Sequence, residues 1–253
     1  MTTAIDGQKP ASVAQRLAAL LIGAVCIAIL LGLGTWQMRR LAWKEDLLAT
    51  IQSRISAPPV QLKDALLVEK SVADMEYTPV TFSGVFDHRF ERHFFATFKG
   101  ATGFYVYTPL KLEGGDWIFV NRGFVPYDKK DPAARPEGQV AGPVVITGLM
   151  RPGLLERPSS IVPDNDPAKN IFYWKDFRAM RDTSGLPESE PVLGLFVDAN
   201  DAPNPGGLPV GGVTIIDQPN NHLQYALTWY GLAAALAGVL GLWLWRGRAG
   251  ASS

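Results

Sequence analysis

No Asp, Glu, Lys, Arg or His occurs in residues 17–38, nor in residues 223–245. A helix rises about 1.5 Å per residue, so each run is long enough to cross roughly 30 Å of hydrocarbon. The chain is therefore read as two transmembrane helices, at residues 17–38 and 222–245, with the rest arranged around them. A cleaved signal peptide competes for the first run, because Lys9 and Arg16 resemble a charged n-region. The run exceeds a usual h-region, no Ala-x-Ala step follows it, and it leads into Trp36 and Arg39-Arg40, which favours an uncleaved anchor. Aromatic residues gather at the ends of the second run, with Tyr225, Trp229 and Tyr230 at one end and Trp243 and Trp245 at the other, as in an interfacial belt.

Small residues four apart, Ala24, Ala28 and Gly32 in the first span and Ala234 and Gly238 in the second, predict that the two helices pair closely. Two spans place both tails on one side. Residues 1–16 and 246–253 carry Lys9, Arg16, Arg246 and Arg248 against Asp6 alone, so the tails are expected in the cytoplasm. Arg39, Arg40 and Lys44 argue the other way, but a long loop translocates largely regardless of charge. The loop of residues 39–217 is then periplasmic in the inner membrane of a bacterial-type cell, or faces the intermembrane space in a mitochondrion. Cys26, the only cysteine, falls inside the first span and is expected as a small buried apolar residue. Lys and Arg total 24, as do Asp and Glu, and this balance excludes a nucleic-acid partner drawn by net charge.

The loop is long enough to fold as one domain. Leu41, Leu47, Leu48, Ile51 and Ile55 continue the first helix as an amphipathic segment until Pro58-Pro59 ends it. Alternation then replaces helical spacing. Residues 80–86, 103–112 and 116–125 read as strands, the last two joined by Glu113-Gly114-Gly115 as a hairpin, and residues 144–148, 192–198 and 212–217 add shorter ones. One helix is expected at residues 170–182 after Asp164-Asn165-Asp166-Pro167. The fold class is membrane α+β: terminal transmembrane helices flanking a β-rich periplasmic domain, either a compact antiparallel sheet or a small antiparallel barrel.

There are three histidines. His88 and His93 are five residues apart, which on a strand puts them on opposite faces and makes a poor metal pair. No nucleophile elbow, Walker loop, Cys-x-x-Cys or His-Glu-x-x-His occurs, so the familiar hydrolase, nucleotide and zinc-enzyme signatures are absent. His222 stands at the membrane entry of the second span, where a polar ring needs a partner. Tyr225 and Trp229 follow at i+3 and i+7 on one face. Two readings fit: a large planar ligand such as haem, with His222 on the iron, or a helix-start polar residue at headgroup level above its aromatic belt. Trp36 and Gln37 close the first span at the same membrane face. Arg39 and Arg40 above them suit haem propionates and equally suit lipid phosphate. The Asn121-Arg122-Gly123 segment reads as an exposed turn open to a partner.

Gly34-Thr-Trp-Gln37, Arg40-Leu-Ala-Trp-Lys-Glu45, Pro79-Val-Thr-Phe-Ser-Gly84, Gly103 to Leu110, Val120 to Pro126 and Asn221 to Tyr230, in that order, resemble the Surfeit locus protein 1 family of cytochrome c oxidase assembly factors. The resemblance spans nearly the whole chain. It implies a membrane chaperone rather than an enzyme, helping haem a reach subunit I of an aa3-type oxidase, with haem A synthase as a further partner. It also implies His222 as the residue on the haem iron. A cofactor-free scaffold that holds an oxidase assembly intermediate is the alternative. Haem synthesis would call for several intramembrane histidines and copper delivery for soft Cys or Met ligands, and the chain has neither.

Overall fold

A computed structural model of the chain describes residues 12–68, 71, 74–214 and 220–249. The chain divides into a helical unit, residues up to Ala49 and from Asp217 onward, and a β unit, Thr50–Ile216. The helical unit holds α4 (His222–Ala249) and α1 (Val13–Ile55) as far as Ala49; each helix is long and apolar enough to cross a membrane, and most of their side chains are exposed in the isolated chain. That exposure is what a lipid-facing helix requires, since lipid covers the apolar surface that protein does not.

The two helices pair, but not along the small-residue faces expected from the sequence. Buried and half-buried positions on α1 recur at alternating intervals of four and three, at Gly23, Ile27, Leu30, Gly34 and Gln37. On α4 they fall at His222, Ala226, Trp229, Ala233, Leu236 and Leu240, with Tyr230 beside Trp229. This is the seam spacing of a left-handed pair. Gly23 faces Leu240 and Gly34 faces Tyr230, so the helices run antiparallel, whereas Gly32 and Gly238 look into open space. Ala24, Ala28 and Ala234 are likewise exposed, and so is Cys26, which is not the buried residue expected. The reason is register: residues four apart drift off a seam that alternates four and three.

In the β unit, β1 (Val60–Gln61) and α2 (Leu62–Leu67) precede β2 (Pro79–Phe86), β3 (Arg92–Phe98), β4 (Ala101–Leu112), β5 (Trp117–Pro126), β6 (Pro143–Pro152), α3 (Phe177–Asp182) and β7 (Val192–Ala199). The sheet order is β1-β2-β6-β7-β5-β4-β3, and β2 also pairs with β4. That second pairing, Gly84 to Phe86 against Leu110 to Leu112, closes a five-stranded barrel. The predicted β4–β5 hairpin forms through Glu113-Gly114-Gly115. The barrel is mixed rather than antiparallel: β7 runs parallel to β5, because the chain between them crosses over and returns by way of α3.

Side chains alternate along the strands with period two. Val80, Phe82, Leu110, Ile118, Val120, Met150, Leu195 and Val197 belong to one buried cluster. The intervening Trp117, Phe119 and Phe196 belong to a second, packed with Tyr107, Phe172 and Met180. β5 is thus buried on both faces, which explains its nearly unbroken apolar run.

The helix expected at residues 170–182 begins only at Phe177, where the Asp176 carboxylate accepts from the Ala179 N–H at 2.9 Å as an N-cap. Before it, Asn170 is left-handed (φ 52°), and Phe172 bridges in parallel to Phe94 of β3. The turn chemistry of residues 164–167 leads into a short 3-10 turn and that bridge instead of a helix. In the strand expected at residues 212–217, positions 212–214 are irregular and 215–217 lie outside the described residues. Of the expected tails, residues 1–11 and 250–253 also lie outside them.

Candidate functional site

The seam of the helical unit brings together two polar residues that are 185 positions apart in sequence. His222 Nδ1 lies 2.7 Å from Gln37 Oε1. Gln37 is buried among apolar neighbours, where an unpaired carboxamide would be costly. The pairing with the His222 ring gives that carboxamide a partner. The start of α4 holds the ring in place, with Asn220 Oδ1 3.5 Å from the His222 N–H and the Tyr225 N–H donating to Asn221 O at 3.2 Å.

Two residues back on α1 and eight residues on along α4, Thr35 Oγ1 and Tyr230 Oη lie 3.2 Å apart across the seam. Gly34 is what permits this approach, since a Cβ there would meet the Tyr230 ring at 2.7 Å. Gly34→Val is therefore expected to loosen the pair by about 1–3 kcal/mol through overpacking. Gly32→Val, which meets open space, should change nothing. Thermal unfolding of the two variants in detergent checks this, and equal midpoints would refute the observed seam.

The remaining residues expected at this site are placed as follows. Trp229 is half-buried on the seam side of α4, while Tyr225 and Trp36 are 54% and 57% exposed. Two flat aromatic surfaces are thus open to lipid near an imidazole. Arg39 is exposed, and the Arg40 guanidinium lies 3.8 Å from the Trp43 ring centroid in a cation–π contact. Sequence reasoning named Gln37 and His222 separately but did not join them. The signal that could have done so was a polar residue in each of two otherwise apolar seams.

The β unit contains a second polar centre that the sequence did not disclose. Glu91, 2% exposed, accepts from Arg135 through both carboxylate oxygens. Arg122 Nη1 stands 3.7 Å away, His88 Nδ1 3.4 Å, His93 Nε2 3.7 Å and Thr108 Oγ1 3.4 Å. His88 and His93 therefore converge on one carboxylate instead of facing apart, because a 3-10 turn, His88–Phe90, interrupts the strand between them. Burial alone would raise the Glu91 carboxyl, but contacts with His88, His93 and Arg135 outweigh it and hold the group well below the usual carboxylate range. Burial pushes Arg122 down to about 10 and also lowers His93, in each case against the pull of Glu91.

Asn121-Arg122-Gly123 is accordingly no exposed turn. It lies within β5, with Asn121 and Arg122 each 2% exposed. Tyr107 pairs with Asn121 and Tyr105 with Phe124, so Arg122 and Gly123 together oppose the single residue Val106. This is a β-bulge, and Gly123 has the positive φ (123°) it requires. Arg122 thereby reaches Glu91, Gly138 O at 2.6 Å and Asn204 Oδ1 at 3.1 Å.

The model of the SURF1 family matches residues 24–234, a span that takes in most of α1, the first half of α4 and the whole barrel. The chain belongs to the SURF1 family. It is 38% identical over 221 residues to Surfeit locus protein 1 of Homo sapiens, covering 81% of this chain and 70% of that one. A SURF1-like protein of Monosiga brevicollis is 37% identical, with 87% and 84% covered, and one of Drosophila melanogaster is 32% identical, with 81% and 70% covered. Both polar centres of this SURF1 family member, Gln37–His222 and the group around Glu91, fall inside the matched span.

Proposed function

We propose that this chain is an assembly factor for an aa3-type cytochrome c oxidase that binds haem a as cargo through His222 and aids its insertion into subunit I. In this reading it is a carrier and not an enzyme. It is held in the inner membrane by α1 and α4 with the β unit in the periplasm, and haem A synthase is the partner that supplies the cargo. The observation that carries the reading is the 2.7 Å contact of His222 Nδ1 with Gln37 Oε1, which leaves Nε2 as a free ligand atom. Haem-ligating histidines need a neutral ring whose other nitrogen is engaged.

The exposed faces of Trp36 and Tyr225 and the half-buried Trp229 suit a flat apolar macrocycle, and Arg39 and Arg40 suit its propionates. Membership of the SURF1 family supports the same assignment. Bound haem would supply an iron able to take a nitrogen ligand, and His222 would supply that nitrogen in an apolar setting.

The test is the absorption spectrum of the full chain, purified in detergent from cells that make haem a. Wild type is expected to carry a haem a band, and His222→Ala to lose it. A colourless wild type that still captures subunit I would replace this reading with that of a cofactor-free scaffold.

A further inference from the structure

Of the two polar contacts across the helix seam, the one between Gln37 and His222 has a geometry that says more than that His222 has a neighbour. We propose that Gln37 is a positioning residue that locks His222 in the Nδ1–H tautomer, turning Nε2 outward as the atom available to a metal. The proposal rests on the haem reading for its purpose, but the tautomer itself is a property of the chain alone.

The argument begins with the carboxamide, which has two ends of opposite character. Its oxygen accepts and its nitrogen donates. With Oε1 toward the ring at 2.7 Å, Nδ1 must donate. With the amide reversed, Nε2 of Gln37 would donate to a bare Nδ1, the proton would move to Nε2 of His222, and no lone pair would remain for a ligand. The orientation of one buried side chain thus decides whether the imidazole can bind iron.

Gln37 is held within reach of the ring by the helix seam. It sits three residues beyond Gly34, whose close approach to the Tyr230 ring brings the helices together. The Thr35–Tyr230 contact at 3.2 Å fixes their register within one turn of it. A longer gap or a slid helix would separate the pair. A carboxamide also leaves the ring less anionic than a carboxylate acceptor would, so the iron would not be held as strongly in its oxidised form.

The test exploits the small number of histidines. With only His88, His93 and His222 in the chain, ¹⁵N-histidine labelling of the detergent-purified, haem-free protein gives three ring systems, and His222→Ala assigns the third. Wild type is expected to show His222 protonated at Nδ1 and bare at Nε2. In Gln37→Leu the ratio should move about tenfold toward the Nε2–H form, roughly the effect of one hydrogen bond. Wild-type His222 protonated at Nε2, or a ratio unmoved by Gln37→Leu, overturns the proposal whatever the haem content.

Two loaded measurements follow. Haem affinity should fall about 10–100-fold in Gln37→Leu, as for other partners of metal-bound histidines. In Gln37→Glu, which keeps the size of the side chain, the haem reduction potential should drop and the Fe–His stretching frequency should rise. A potential and frequency unchanged in Gln37→Glu would show packing alone and overturn the positioning role. A wild type with the expected tautomer but no haem would instead sink the haem reading and leave the tautomer lock standing.

Discussion

Glu91→Gln is expected to destabilise the β unit by about 3–5 kcal/mol, the usual consequence of removing one partner from a buried ion pair. The amide keeps the shape of the carboxylate but not its charge, so Arg122 and Arg135, 2% and 1% exposed as side chains, would face each other with no anion between them. Thermal unfolding of the full chain in detergent should show a midpoint lower by about 10 °C, given about 2–4 °C per kcal/mol at this domain size. A fall of less than 2 °C would mean that the cluster contributes little.

The same centre sets an acid response in two stages. His93 is held below its ordinary value of 6.5, so in the folded chain it resists a proton that the unfolded chain accepts. Stability is therefore complete above about pH 6.5 and declines below it. Glu91 is held below its ordinary 4.5, so its contribution is present above that value and is lost as pH falls further. Glu91→Gln should erase the second stage, and a variant with an acid limb identical to that of wild type would refute this assignment.

Gly123→Ala is the second large effect, expected at about 3 kcal/mol or more. A φ of 123° is strained for any residue with a Cβ, by about 1–3 kcal/mol. The added methyl would also collide with the backbone carbonyl of Val210, which cannot swing aside as a side chain can. The Phe124 N–H and Val210 O bond to each other at 2.8 Å, so the collision falls on a paired segment. Removing the bulge would also withdraw Arg122 from Glu91. Gly100→Ala, at another positive φ (83°) but with open space around it, is the control for strain alone. Unfolding midpoints that fall equally in the two variants would show that the Val210 contact does not matter.

What could be read from the residues was whatever had a local cause. The two charge-free runs, the end of α1 before Pro58-Pro59 and the hairpin through Glu113-Gly114-Gly115 each depend on neighbours in sequence. Closure of the barrel depends on Gly84 to Phe86 finding Leu110 to Leu112, and no short-range pattern encodes that pairing. Asn121-Arg122-Gly123 was misread because a bulge and a turn use the same residue types for the same reason, tolerance of positive φ. His88 and His93 were misread because counting along a strand assumes that the strand is unbroken. At the candidate site, His222 stood out as a ring at a membrane boundary, while the role of Gln37 emerged only when the two helices met.

Among the described residues all seven strands end by Ala199, whereas His222 comes 23 residues later. During synthesis the chain emerges N-terminus first, so the barrel has every strand it needs before the imidazole has been made. Gln37, one of the earliest parts of the site to leave the ribosome, waits through the whole of that interval for its partner. A chain that stops between those points would have every strand of the barrel and lack the nitrogen proposed to face the haem iron. On the proposed reading, competence to hold haem is acquired only after the barrel has all its strands, and a well-folded domain is no guarantee of it.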